Sequence, residues 1–267
     1  LVLDARRAAL DVATWRPHIS IVMAVHNAKP ALGFSLPKLF ALTQGCAELL
    51  AMLDQCTDPS LASIMGNLVR FGASRYMRVR VLVQPTPIWE SASENILMSI
   101  SEPLQAYVMV QPDNLINEFA WDLQLARPLL AYDDVFSVSG MLGHALGART
   151  PSTRFLRYRP GIRVPELASA PHSAKVPSRD HFYIRDTSSR GPLLLHAERV
   201  QLLGFFDHEL YYLEDSDHDI HCRAGVLHGW ATGVVALATI TNRADLKTKK
   251  NGEAIASAQA RNLSKFA

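Results

Sequence analysis

Between His18 and Gln111 the apolar positions change period repeatedly. Short β-rich runs, HISIVMAV (His18 to Val25), AELLAML (Ala47 to Leu53), RVRVLVQ (Arg78 to Gln84) and AYVMVQ (Ala106 to Gln111), are continuous or alternating, as strands buried on one or both faces require. Helical spacing fills the stretches between them. SLPKLFALTQG predicts a helix with Ser35 as N-cap and Gly45 as stop, PSLASIMGNLVRFGA one with Pro59 in its first turn, and ESASENILMSIS one from Glu90. AELLAML is read as the second strand, although propensity alone also suits a helix. A further helix is expected around NEFAWDLQLA. Strands alternating with helices predict an α/β domain with a mainly parallel central sheet and helices on both faces.

In such a sheet, ligands sit beyond the carboxyl ends of the strands. Polar residues gather at those ends. His26 and Asn27 follow the first strand, Asp54 to Asp58 the second, Pro85 to Glu90 the third, and Gln111, Pro112 and Asp113 the fourth.

The second half changes character. Thr150 to Arg190 is rich in Pro, Ser, Arg and His and reads as loops and short strands. Order resumes at GPLLLHAERVQLLGFFD, where an apolar helix is expected after the turn flanked by Arg185 and Arg190, and an acidic helix is expected from Glu214 to Ala224. VVALATITN, after Gly233, is too short to cross a bilayer and reads as a strand. The tail from Ala244 is a polar helix or frayed.

With 267 residues, 48% hydrophobic and 19% charged, the chain suits one large globular domain, and its net charge of +2 is too evenly spread for a nucleic-acid footprint. Two local basic clusters, Arg154 to Arg163 and Lys247 to Asn251, stand out; the first could meet phosphates or acidic sugars, or be a solvated loop. Cys46, Cys56 and Cys222 are too few and scattered for a disulfide framework or zinc knuckle, and are expected as small buried residues in a reducing compartment. A cytoplasmic or cytoplasm-facing location is expected, with any membrane association through a segment not present in this sequence, which begins at Leu1 without a signal-peptide pattern.

YYLEDSDHDIHCRA packs one Glu, three Asp and two His into nine positions from Glu214 to Cys222. Alone it would be the capped, solvated start of a helix. It does not stand alone. ISIVMAVHN, LDQCTDPS, WESASENILMSISEPLQAYVMVQPD and GFFDHELYYLEDSDHDIHCRAGVLHGW arrive in order and spacing over most of Pro17 to Trp230. Together they resemble the family-2-like inverting nucleotide-sugar glycosyltransferases of the GT-A fold. The resemblance implies a nucleotide-sugar-binding half over 17–115, an acceptor-side half over 116–242 and a C-terminal helix or tail over 243–267.

It also implies roles. Asp54 falls where the family reads the nucleobase, a carboxylate being able to accept from a base N–H; Asp58 belongs to the same turn or simply caps the helix at Pro59. His26 and Asn27 match the turn whose backbone borders the nucleotide, and Glu90 and Asn95 a helix start near the donor sugar. QPD stands where Asp-x-Asp is usual, so Asp113 is the expected ligand of Mn2+ or Mg2+, or a turn residue, while Gln111 departs from the pattern and is left to hydrogen-bond ribose or sugar. Aligning Asp219, Ile220 and Arg223 with the family's motif makes Asp217 the general base, with Ser216 where Glu is usual; a two-residue slip would select Asp215.

Arg185 and Arg190 are expected to help bind the leaving diphosphate where Gln111 weakens the metal, with a structural bridge to Asp186 or Asp207 equally open to Arg185. Trp89 is a structural residue or a sugar-stacking one, and His144 is structural. His218 and His221 share a helix face, but no other ligand lies close in sequence, which argues against zinc. The implied partners are a nucleotide-sugar donor, UDP- or GDP-type, and a glycan, lipid or protein hydroxyl acceptor. Two alternatives stand beside this one: a degenerate nucleotide- or glycan-binding member, favoured by Gln111 and Ser216, and a sugar nucleotidyltransferase, for which VHNAKPALG is a poor phosphate loop.

Overall fold

The computed structural model describes residues 18–57, 59–73, 78–102, 105–140, 143–144, 166–168, 181–213, 215–235, 237 and 239–240. Asp58, Glu214, both basic clusters and the tail lie outside them.

The first half follows the expected alternation: β1 (Ile19–Val25), α1 (Lys29–Leu42), β2 (Cys46–Asp54), α2 (Pro59–Ala73), β3 (Arg78–Gln84), α3 (Trp89–Ser99) and β4 (Ala106–Met109). β5 (Leu115–Ile116), α4 (Trp121–Ala131), β6 (Val135–Ser139), β7 (Gly143–His144), β8 (Glu166–Ala168), β9 (His181–Arg185) and β10 (Thr187–Ser188) follow. The chain then runs through β11 (Leu193–His196), α5 (Ala197–Leu202), α6 (Ser216–His228), β12 (Ala231–Val235) and β13 (Thr239–Ile240).

Among the described residues one nine-stranded sheet, ordered β3-β2-β1-β4-β11-β6-β12-β9-β8, runs through both halves of the chain. β3, β2, β1 and β4 are parallel neighbours. β11 enters antiparallel between β4 and β6, β12 lies parallel to β6, and β9 antiparallel to β12. Alternation along each strand sends side chains to opposite faces. Ile19, Ile21, Met23 and Val25 meet Leu32, Leu36 and Leu39 of α1, Leu61 of α2 and Trp121 of α4 in one core layer. Val22, Leu50, Met52, Tyr107 and Met109 meet Leu97 of α3, Val200 of α5 and Ile220 of α6 in the other.

Two element readings are corrected. Ser35 is a buried residue inside α1 rather than its cap, and Pro37 lies within that helix. The buried stripe Leu32, Leu36, Leu39 and Phe40 at helical spacing outweighs the local signals of serine and proline. Leu193 to Leu195, expected as helix, form β11, because so short an apolar run buries both faces only between two strands; the helix is confined to α5. The cysteines also depart from expectation. Cys222 is exposed, and Cys56 is half-buried with its thiol on the Val25 carbonyl at 3.3 Å.

Candidate functional site

Because β1, β2 and β4 are parallel, their carboxyl ends at Val25, Asp54 and Met109 share one edge. The turn after β1 holds the turn after β2. The His26 Nδ1–H donates to the Asp54 carbonyl at 2.9 Å, leaving Nε2 to accept from Asn27 Nδ2 at 3.2 Å. Asn27 Oδ1 accepts from the Thr57 backbone N–H (2.8 Å) and hydroxyl (3.0 Å). Both side chains are thus spent on loop geometry, and the backbone of this turn forms the edge.

Asp54 does something its sequence position did not announce. Its buried carboxylate accepts the backbone N–H of Ile88 at 3.0 Å and of Trp89 at 2.9 Å, at the start of α3. These are orphan donors of a helix N-terminus, where a carboxylate is also favoured by the helix dipole. Trp89 is held at φ +69°, a costly conformation for a bulky residue. Its indole lies 5.5 Å from the Tyr212 ring, centroid to centroid, on the chain leading into α6.

Beside Trp89, Glu90 opens the polar cluster at the centre of this edge. Its Oε1 accepts from Gln111 Nε2 at 3.1 Å and its Oε2 pairs with Arg190 Nη1 at 2.8 Å. Arg190 is 7% exposed; its Nη2 lies 2.8 Å from Glu94 Oε2 and donates to Ser216 Oγ at 2.5 Å. The guanidinium sits 5.1 Å from the centroid of the Phe206 ring. The Arg190 backbone N–H donates to Asp217 Oδ2 at 3.2 Å, and the His218 N–H to Asp217 Oδ1 at 3.0 Å. Burial alone would raise the Asp217 carboxyl, but Arg190, His218, His221 and the Arg190 N–H outweigh it and hold it below the usual aspartate range. Glu94 goes the other way: burial, with Glu90 and Asp217 nearby, raises it well above the usual glutamate range against the pull of Arg190.

Beneath Asp217, His221 is fixed in one tautomer. The Ser188 N–H donates to its Nδ1 at 3.3 Å, so Nε2 carries the proton toward Ser137 Oγ at 2.8 Å. Burial pushes its pKa down to about 3. It is a neutral, satisfied core histidine.

The turn after β4 closes the edge. Asn114 Oδ1 accepts the Gln111 N–H at 2.9 Å, and the Asn114 N–H donates to the Gln111 carbonyl at 2.9 Å. Gly191, at φ +91°, lies so close that an added Cβ would stand 2.6 Å from Asn114 Oδ1. The turn carrying Asp113 therefore packs on the turn carrying Arg190. An amide at 111 fits its place, since Gln111 donates to the Glu90 carboxylate and an aspartate could not.

Among the described residues no group of three or more His, Cys, Asp or Glu side chains is placed to share a metal ion. Glu90 pairs with the Arg190 side chain and Asp217 accepts its backbone N–H, while Asp113 lies half-buried in the turn after β4; carboxylate oxygens of this kind suit a hard cation. One carboxylate fits Mn2+ or Mg2+ when the cation arrives with a diphosphate that supplies further oxygens.

The edge thus brings together Asp54, Glu90, Gln111, Asp113, Arg190 and Asp217. It does not bring in the side chains of Asn95 and Asp215 in the same way. Asn95 bridges Phe206, donating to its carbonyl at 2.8 Å and accepting its N–H at 3.1 Å, so it shapes the loop before α6. Asp215 is exposed at the N-cap of α6, φ +62°. The Arg190 guanidinium is turned toward the carboxylates of Glu90 and Glu94. Arg185 is buried on β9, where its Nη1 donates to the Ile184 carbonyl at 2.9 Å. Glu94, Ser91 and Asn114 were missed; their only sequence signal was membership in polar stretches otherwise read as helix surface or turn.

No protein-family model and no curated protein matches the chain. Solved structures do. A mannosyltransferase from Pyrobaculum calidifontis, in complex with GDP-Man and Mn2+, is 13% identical over 98% of this chain and 69% of its own, with a TM-score of 0.57. GalNAc-T7 with UDP, GalNAc and Mn2+ is 14% identical over 83% of this chain, TM-score 0.62, and S. aureus TarS 1-349 with UDP-GlcNAc is 14% identical over 90%, TM-score 0.55. The chain spans 43% of that GalNAc-T7 chain and 61% of that TarS chain. Strand order, helices on both faces and these likenesses agree on one architecture: the chain has the GT-A fold of glycosyltransferases.

Proposed function

We propose that this chain is a glycosyltransferase that moves a sugar from a nucleoside-diphosphate donor of UDP or GDP type to a hydroxyl acceptor, with inversion. The observation that carries this reading is the Asp217 carboxylate, held by the Arg190 and His218 backbone N–H groups at the edge that also carries Asp54. The complexes of the similar structures with UDP, UDP-GlcNAc or GDP-Man support the donor class.

In this mechanism the acceptor oxygen attacks the anomeric carbon as the bond from that carbon to the diphosphate oxygen breaks. Asp217 takes the acceptor proton and the nucleoside diphosphate leaves with the bonding pair. General-base help of this kind is worth about a hundred- to ten-thousand-fold. The base reader is Asp54, whose oxygens each keep a second lone pair beyond the bonds to Ile88 and Trp89. Asp113 is the residue that would hold Mn2+ or Mg2+, which when bound neutralises charge on the leaving diphosphate. Asp217 is preferred over Asp215 because it is held by two backbone N–H groups, whereas Asp215 is exposed.

The test is calorimetric titration with UDP, GDP and their sugars, with and without Mn2+. Tight binding of one donor series, weakened by Asp113→Asn only when Mn2+ is present, supports the reading. Absence of binding to every nucleotide and sugar nucleotide removes it. Binding without hydrolysis or transfer to any acceptor pool identifies a nucleotide- or glycan-binding member instead.

A further inference from the structure

Arg190 has the chemistry of a diphosphate ligand and the surroundings of something else. It is buried, at the centre of three carboxylates from two elements, Glu90 and Glu94 on α3 and Asp217 on α6. Its five N–H donors form a planar fork. One arm is used on Glu90 at 2.8 Å; the other reaches Glu94 at 2.8 Å and Ser216 Oγ at 2.5 Å. Ser216 is in turn bonded to Ser91 Oγ at 2.9 Å, so α3 and the first turn of α6 close around the guanidinium from both sides. The same residue's backbone N–H donates to Asp217 Oδ2 at 3.2 Å. One residue therefore fixes both the carboxylate and the helix turn that carries it.

Resting on the transferase reading above, we infer that Arg190 is a positioning residue for Asp217 and does not bind the leaving diphosphate. Glu90 and Glu94 orient its fork, Ser216 transmits the hold to α6, and Asp217 is kept where an acceptor hydroxyl can reach it. Without the guanidinium, Glu90, Glu94 and Asp217 are left crowded in a poorly solvated cluster, and Asp217 loses the largest of the charges that offset its burial. With Arg190 removed, the titratable groups left beside Asp217 are Glu94 of α3 and, on α6, His218 and the neutral His221. Lysine at this position keeps a charge but offers a single point of attachment in place of the fork.

The experiment compares wild type, Arg190→Gln, Arg190→Lys, Asp217→Asn and Arg190→Gln/Asp217→Asn for donor dissociation constant and for transfer or donor-hydrolysis rate at saturating donor. Displacement of a reacting group by about 1 Å can cost about a hundredfold. The expected result is a rate loss of about 10- to 100-fold in Arg190→Gln with donor affinity within about threefold, partial recovery in Arg190→Lys, and no further loss when Arg190→Gln is added to Asp217→Asn. A donor affinity weakened about tenfold or more in Arg190→Gln with the rate preserved would make it a diphosphate ligand and overturn the inference. So would an additive loss in the double variant, which marks a general structural role. Should Arg190→Gln fail to fold, as judged by thermal melting, Arg190→Lys and its double variant with Asp217→Asn carry the same comparison. A wild-type chain that neither transfers nor hydrolyses any donor sinks the transferase reading, and the inference with it. An active wild type whose Arg190 variants match it sinks the inference alone.

Discussion

Replacing Asp54 by alanine separates two roles that a nucleotide-binding assay would merge. A residue that only reads a base has no work to do in the empty protein. The structure gives Asp54 such work: its carboxylate, 6% exposed as a residue, is the acceptor for the Ile88 and Trp89 N–H groups at 3.0 and 2.9 Å. Each buried donor left without a partner costs about 1–3 kcal/mol. Part is recovered if Trp89 relaxes from its positive φ, a strain of about 1–3 kcal/mol. The net expectation is a loss of about 2–4 kcal/mol for Asp54→Ala, against a typical total of about 5–15 kcal/mol. Asp54→Asn keeps one acceptor oxygen and should lose about half as much. Urea unfolding of nucleotide-free protein measures this directly; the Ala variant should shift the midpoint down by about 1 M. A midpoint equal to that of wild type, with only nucleotide affinity reduced, would refute the anchoring of α3 by Asp54.

Three further outcomes are expected. His221 protonates near pH 6.5 in the unfolded chain but only at about pH 3 in the folded one. The unfolded state therefore binds more protons between these values, and stability is lost as pH falls through that window, by up to about 1.4 kcal/mol per unit; the difference in urea stability between wild type and His221→Gln should grow with pH across it. Gly191→Ala should destabilise by about 2 kcal/mol or more, since its φ of +91° disfavours a side chain and the new Cβ would press on Asn114; thermal melting checks it. Gln111→Glu, measured without metal, should place a second carboxylate against Glu90, at the present 3.1 Å contact. It should cost about 1–3 kcal/mol at pH 8, a loss that shrinks toward pH 5 as the pair retains a proton.

What the sequence made legible follows from the range of each interaction. β1 to β4 and their helices were readable because apolar period is local, and α2 matches its expected span from Pro59 to Ala73. Polar residues at strand ends were readable because a parallel sheet sends those ends to one edge. The start of α1 was not, since the Leu32–Leu36–Leu39 stripe had to compete with nearer signals from Ser35 and Pro37. β11 was misread because its partners, β4 and β6, lie far away in sequence. The Arg190 cluster was only partly legible for the same reason: Glu90 and Arg190 are 100 positions apart, and nothing local tells Glu94 from an exposed helix residue. Asp54 was legible as a functional candidate but not as an anchor, because its partners are backbone N–H groups, which leave no trace in residue identity.

The central claim is that Asp217 removes the acceptor proton in a sugar transfer at this edge. Its most direct test is the transfer rate of Asp217→Asn at saturating donor, once a donor is identified by titration. The account predicts a fall of about a hundredfold or more with donor affinity within about threefold of wild type. A variant that transfers at the wild-type rate contradicts it.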